Sequence, residues 1–396
     1  MLSLVVSAVL PAASALAQPE FEPIENRDYA IDLYQGSVLG SIRIVGMGGA
    51  AVAMAEGSSG LLANPAAPAI RPATSKGNWD WDWHIDWLNP ALGSDFDNNG
   101  VKAEESLDLL SVVTFGVVLR YKQWALGGNV NRIERTIEVE DNIDLNPEFI
   151  VGRVGLAREF NDVTAGLAVR TGGLRLDRIT KFGGGVETAF TLFEITGSAI
   201  EAGAVWHPGD RDVRVGAVMS FPVTSSDEVT GDRCDPLDCE GYILPGEIVL
   251  PWRLAAGIAW RLADTRWNRR IDARWRDERY VVLTTDVVID GPVDNGHGIE
   301  AFFDKQLQRS GRDPSVSIRT GIEFEWKPGL LRVRGGSYWE PSRFDGVSGR
   351  LHVTAGMDLR IWSFCFWRER YRVRFSITAD IADKYGNTGL SLGLWN

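Results

Sequence analysis

Trp79-Asp80-Trp81-Asp82-Trp83-His84-Ile85-Asp86-Trp87 alternates without a break between large apolar and polar side chains. Successive side chains of a β-strand point to opposite faces. In a strand, Trp79, Trp81, Trp83, Ile85 and Trp87 therefore share one face, and Asp80, Asp82, His84 and Asp86 the other. A tryptophan wall turned to water is an apolar patch of the kind soluble monomers avoid. Turned to lipid, with its carboxylates facing an enclosed interior, the same stretch reads as a strand of a transmembrane β-barrel.

The same period recurs through the C-terminal half. Trp252, Leu254, Ala256, Ile258 and Trp260 oppose Arg253, Arg261 and small residues. Val316, Ile318, Ile322, Phe324 and Trp326 oppose Ser317, Arg319, Glu323 and Glu325. Leu351 to Ile361, Tyr371 to Ile381 and Leu390 to Leu394 repeat the pattern. These runs are about ten residues long, enough to cross a bilayer at a steep tilt, whereas strands of soluble sheets usually have about five or six. A soluble β-sandwich also alternates, but run length and the aromatics near run ends favour lipid. The expectation is an all-β fold, a transmembrane antiparallel barrel of about 14 strands. Strands are predicted to begin near residues 79, 110, 123, 150, 162, 190, 212, 252, 279, 315, 330, 350, 370 and 388. An even count suits a bacterial single-chain barrel, with tight turns after even strands and longer external loops after odd ones. Residues 89–108, 133–148, 222–251 and 291–313 are the predicted long loops. The links at Tyr121-Lys122, Asn161, Lys327-Pro328-Gly329 and 362–370 are the short ones. The sixth strand, interrupted by Gly197, and the link from Asp264 to Asp277 fit this parity least well.

Composition bounds the function. A net charge of -12 excludes nucleic acid as a partner, since phosphates need a basic surface. Residues 1–17 read as a signal peptide closed by Ala15-Leu16-Ala17, although no Lys or Arg precedes the apolar core, which leaves the true start open. After Ala17 no run of 18 apolar residues occurs, so a transmembrane helix is not expected. The predicted domains are a signal peptide (1–17), an N-terminal plug segment (18–75) and a barrel (76–396), integral to a bacterial outer membrane and in contact with its lipid.

Ser41 to Pro68 does not alternate and is rich in Gly and Ala. Gly46-Met47-Gly48-Gly49 would suggest a dinucleotide fingerprint, but Asn64-Pro65, Pro68 and Pro72 break any returning βαβ unit. The segment resembles the start of the FadL-like outer-membrane transporters of fatty acids and aromatic hydrocarbons. The resemblance rests on Gly46, Gly48 and Gly49 within a G-x-G-G-A-x-x-A stretch, then on Asn64, Pro65 and Ala66. It implies a plug inside a 14-stranded barrel, and passage of hydrophobic small molecules, fatty-acid-like or aromatic, with lateral release through a gap in the wall. In that family the third strand kinks inward; here Gly127 and Gly128 are the candidate kink, beside the plainer reading of ordinary wall glycines. The alternative is a plugged barrel serving as a shuttle or assembly factor for secreted proteins, with a protein partner on its external loops. The chain departs from barrels that end in an aromatic residue, closing instead on Leu394-Trp395-Asn396.

Arg253, Arg319, Glu323, Arg334, Asp358 and Arg374 are among the charges expected to face the lumen. Ion pairs bracing barrel and plug are the favoured reading; a pore for small anions or a site for a ligand carboxylate is the other. Asp95, Asp97 and Asn99 match half of a calcium loop, but position twelve is Ser106, and a solvated Asn/Gly turn is preferred. Cys234 and Cys239 are expected to form a disulfide in an oxidising compartment, leaving Cys365. The 4 His are scattered, no Ser/His/Asp grouping stands at a familiar spacing, and no metal, cofactor or enzyme activity is expected.

Overall fold

The computed structural model describes residues 21–75, 77–91, 94–101, 111–140, 142–182, 186–225, 235–239, 241–366 and 369–395. The predicted signal peptide and Cys234 lie outside these residues.

Fourteen strands form the wall: β1 (Trp79–Pro90), β2 (Ser111–Tyr121), β3 (Trp124–Glu134), β4 (Ile143–Phe160), β5 (Val163–Phe182), β6 (Val186–Trp206) and β7 (Val213–Ser220). They continue as β8 (Arg253–Ala263), β9 (Tyr280–Asp290), β10 (Ser315–Lys327), β11 (Leu331–Glu340), β12 (Arg350–Phe366), β13 (Glu369–Ala382) and β14 (Tyr385–Leu394). Each is antiparallel to its chain neighbour, and β14 pairs with β1, so the sheet closes on itself. Closure satisfies every strand edge.

The alternation of the opening stretch is realised in space. Ile85 and Trp87 are exposed on β1, as are Leu254, Ile258 and Trp260 on β8. Asp82, His84 and Asp86, by contrast, are buried. Water-facing proteins bury apolar groups and expose charges; this wall does the reverse over its whole circumference. The chain passes the β2–β3 and β4–β5 turns through left-handed Lys122 (φ 53) and Asn161 (φ 52).

Two regions differ from expectation. Residues 133–148 are largely strand, because β4 starts at Ile143 and pairs with Ile137–Glu140 as well as with β3. Together β4, β5 and β6 rise past the rest of the rim on the side where connections after odd strands lie (the upper rim). Their inner face there is apolar: Leu145, Phe149, Leu174, Leu176, Phe193 and Ile195 are buried. Their outer face carries ion pairs such as Arg132–Glu148 and Arg175–Asp177. The lipid-type pattern is thus inverted above the apolar band, which removes the sequence signal used lower down. These residues form a core with Tyr29, Ile31, Tyr242, Ile248 and Phe302. Gly197 does not interrupt β6; it pairs with Gly172, and the register shift falls at Leu176/Asp177 on β5. The second region, between Ala263 and Tyr280, folds under the lower rim. Ile271 N–H donates to Ala73 O, and Trp267 packs with Met47, Met54 and Tyr280.

Candidate functional site

Residues 29–70 lie against the inner faces of the strands, held by backbone groups that need wall acceptors and donors. Asp286 Oδ2 on β9 accepts the N–H groups of Ala51 (2.6 Å) and Val52 (2.8 Å). Asp82 Oδ2 on β1 accepts Ser58 N–H at 2.8 Å, and Arg120 Nε on β2 donates to Pro68 O at 2.6 Å. Gly48 has φ +61, and a Cβ there would sit 2.6 Å from Ser337 N and 2.7 Å from Thr320 O. Backbone meets backbone, which only glycine allows. The wall answers with Gly321 and Gly336, whose own Cβ atoms would strike Met47 and Gly48. Gly46 lies against the side chain of Arg334, and Gly49 against those of Val38 and Arg319.

Asn64 is fully buried; its Nδ2 donates to Val52 O (2.9 Å) and Ala204 O (3.2 Å), and its Oδ1 accepts Ala66 N–H (2.9 Å). Pro65 O lies over Gly166 on β5. The six residues singled out in the Gly/Ala-rich stretch thus all sit at wall contacts. Gly127 and Gly128 pair with β2 and β4 with no register shift on either side. A Cβ on Gly127 would meet Pro68 and Leu61 at 3.0 and 3.2 Å, so this glycine makes room for the N-terminal segment.

Four cavities follow one another between the rims. The uppermost, about 40 Å³, is apolar and lined by Leu33, Phe96, Ile133, Phe149, Ile299 and Phe303. It shares Tyr34 and Gln35 with a cavity of about 110 Å³ in the barrel interior. That one shares Ile44 with a void of about 10 Å³ beneath. The void shares Arg43 and Glu56 with a lower vestibule of about 500 Å³. Every shared residue belongs to the stretch 34–56. In the vestibule arginines stack on aromatic rings: Arg332 on Trp395 at 4.1 Å, Arg372 on Trp275 at 3.9 Å, and Arg214 on Trp267 at 4.0 Å. Trp395 thus faces inward.

Charges of the inner wall are mostly paired. Glu323 receives Arg43 at 2.9 Å and Arg334 at 3.1 Å. Arg334 also holds Asp358 through both terminal nitrogens. His352 lies between Asp380 Oδ1 (2.8 Å) and Glu340 Oε2 (2.6 Å), the latter also paired with Arg350.

Three further groupings bear on earlier expectations. Ser58 Oγ lies 2.8 Å from His84 Nδ1, and His84 Nε2 lies 3.4 Å from Asp86 Oδ2. Sequence spacing hides this trio, because Ser58 comes from the N-terminal segment and the others from β1. All three are at most 1% exposed and line none of the four cavities. Asp95, Asp97 and Glu300 bring carboxylate oxygens within 4.8 Å of one another at the upper rim. The turn there is buried rather than solvated: Asp95 accepts N–H of Asn99 and Gly100, and Asn99 Oδ1 accepts Val101 N–H. Burial holds the Asp97 and Glu300 carboxyls above their usual range; Asp95 pushes the same way, and Arg135 draws Glu300 back. Cys239 is buried and disulfide-bonded, while Cys365 is free and exposed.

No family model and no curated protein matches the chain. Solved structures do. A Pseudomonas aeruginosa FadL homologue superposes with a TM-score of 0.52 at 11% identity, over 91% of this chain and 99% of the other. The Ralstonia pickettii toluene transporter TbuX gives 0.52 at 11%, over 90% and 98%. The CymD monoaromatic hydrocarbon channel gives 0.52 at 12%, over 91% and 97%. At such identity the likeness is one of fold alone, and it extends over nearly the whole of each chain.

Proposed function

We propose that the protein is an integral bacterial outer-membrane barrel that passes hydrophobic small molecules, fatty-acid-like or aromatic, through a lumen plugged by residues 18–75. The carrying observation is the string of cavities whose dividing residues, Tyr34, Gln35, Arg43, Ile44 and Glu56, all come from one segment. A shift of that segment alone would join them. The apolar rim cavity receives the ligand from outside, and the exposed band of Leu, Val, Ile and Trp is covered by lipid. Structural likeness to a toluene transporter and a monoaromatic hydrocarbon channel supports the cargo class. Release is lateral, into the membrane. Its opening is at Gly127-Gly128, where the outward position of Gly128 leaves a gap in the wall between Leu126 and Val130. Cys234 and Cys239 form the disulfide of an external loop.

The test is uptake of toluene and oleate into vesicles carrying lipopolysaccharide in the outer leaflet, with and without the protein. Entry no faster than into protein-free vesicles overturns the reading. Gly128→Leu tests the exit: a Cβ there meets only Arg153 O at 3.8 Å, so assembly is untouched, while uptake should slow.

A further inference from the structure

Not all lumenal charge is used for bracing. Asn129, Arg153 and Arg170 stand on one rung across β3, β4 and β5, directly opposite one another, and face inward. They are 6%, 9% and 5% exposed. Two guanidinium groups as cross-strand neighbours repel. The nearest relief is Glu201, 3.4 Å from Arg153 Nε without hydrogen-bond geometry, and Glu201 also accepts the Ser220 hydroxyl at 2.7 Å. Arg170 has no carboxylate within ion-pair distance among the described residues. Its Nε and Nη1 are buried without an acceptor, and Asn129 Nδ2 and Oδ1 are likewise buried without a hydrogen-bond partner. A buried guanidinium left in this way is strongly unfavourable unless an anion completes it.

Arg153 and Arg170 line the interior cavity of about 110 Å³. Arg253 and Arg319 line it too, against Glu201 and Asp290; Arg253 is taken by Asp290 at 2.6 Å. Four cations against two anions leave two positive charges in excess. Val151, Val218, Leu39 and Leu250 give the cavity apolar surface, beside the polar Gln35, Ser37, Asn131 and Ser220. The volume is somewhat below the roughly 150 Å³ of an engineered cavity that holds benzene.

We propose that this cavity binds a compact organic carboxylate whose apolar body is at most a single ring. The carboxylate is held by the Arg170 guanidinium with Arg153 beside it, and the apolar body rests on the valines and leucines. The proposal rests on the transport reading and narrows its cargo, within the fatty-acid-like and aromatic classes, to a short anion with an apolar body. A guanidinium with unused N–H donors makes charge-assisted hydrogen bonds to a carboxylate.

The full-length protein in detergent is titrated calorimetrically, at constant ionic strength, with benzoate, with toluene as its neutral counterpart and with chloride. Benzoate should bind at least about tenfold more tightly than toluene. Arg170→Gln should remove about tenfold or more of benzoate affinity and leave toluene unchanged, while Arg170→Lys keeps part of it. Benzoate binding no tighter than toluene, or equal competition by chloride, overturns the proposal. If toluene still enters vesicles in that case, the transport reading stands alone; if neither compound enters, that reading falls separately. Folding gives a second reading. With its guanidinium unpaired in the free protein, Arg170→Gln should melt no lower than the parent; a lower melting temperature makes Arg170 a brace and overturns the proposal.

Discussion

Two stretches of the inner wall carry the same residue type and differ in what faces it. Along β10–β13, Arg332, Arg334 and Arg374 each have a carboxylate: Glu325 at 2.7 Å, Glu323 at 3.1 Å and Asp358 at 3.5 Å. Along β4 and β5, Arg153 and Arg170 face one another with only Glu201 nearby. At Arg332, Arg334 and Arg374 the first wall supplies its own carboxylates. At Arg170 the second wall supplies none within ion-pair distance among the described residues. Lumenal arginine therefore has no single meaning in this barrel; its partners decide whether it braces the N-terminal segment or waits for an anion.

The comparison breaks most sharply on Glu323→Ala. That change strands half-buried Arg43, leaves buried Arg334 with Asp358 alone, and also removes the acceptor of the Tyr280 hydroxyl at 2.8 Å. Removing one partner of a buried pair costs about 3–5 kcal/mol. Urea unfolding in detergent should show a loss of that order. A loss below about 1 kcal/mol would mean that the β10–β13 wall is no more committed to bracing than the β4–β5 wall.

Next in size is Asp286→Ala. This carboxylate anchors the N-terminal segment through two amides rather than through an arginine. Leaving two buried N–H groups without their acceptor costs roughly 1–3 kcal/mol. Hydrogen exchange at Ala51 and Val52 should accelerate while the amides of β10–β13 keep their protection. Uniform acceleration would show that segment and wall unfold as one unit, which would contradict a plug that moves by itself.

The division between walls was only partly legible in the sequence. Alternation places Arg319, Glu323, Arg334, Asp358 and Arg374 inside, and they are buried. Arg153 and Arg170 escape notice because their strands continue above the apolar band, where Leu174 and Leu176 replace polar residues on the inner face and blur the period. Pairing is harder still. Arg43 meets Glu323 across 280 residues, and no spacing rule connects them. The Gly/Ala-rich stretch gave the reverse case. Gly48 could be singled out from a pattern, but the reason it must be glycine, its backbone lying on Ser337 and Thr320, exists only in the closed barrel. The link at 264–279 reads as an overlong turn because the surface that Trp267 covers is made by distant residues.

A smaller effect tests the upper rim, where like charges meet without an arginine pair at their centre. Burial pushes the Glu300 carboxyl up to about 7 from an ordinary 4.5, and Asp97 is raised beside it. Between those values the native protein holds a proton that the unfolded chain has released. Stability from this cluster is therefore full below about pH 4.5 and is lost as pH rises through about 7. The Glu300 amide, which donates to Asp97 Oδ2 at 3.4 Å, should exchange faster at pH 8 than at pH 5 after correction for intrinsic rates. Equal corrected rates would mean that Arg135, 3.3 Å from Glu300, already neutralises the pair.

The smallest expected change lies outside both walls and so serves as their control. Lys122 turns the chain between β2 and β3 at φ 53, where a side chain costs about 1–2 kcal/mol and the added freedom of glycine when unfolded returns roughly 0.5–1. Lys122→Gly should thus stabilise the barrel by about 0.5 kcal/mol. Asn161, at the matching turn between β4 and β5, already holds a residue that tolerates this conformation, so Asn161→Lys should shift stability the other way. Neither change touches a lumenal charge. If either altered benzoate affinity as much as Arg170→Gln does, binding would be reporting the general rigidity of the barrel, and the contrast between its two walls would lose its meaning.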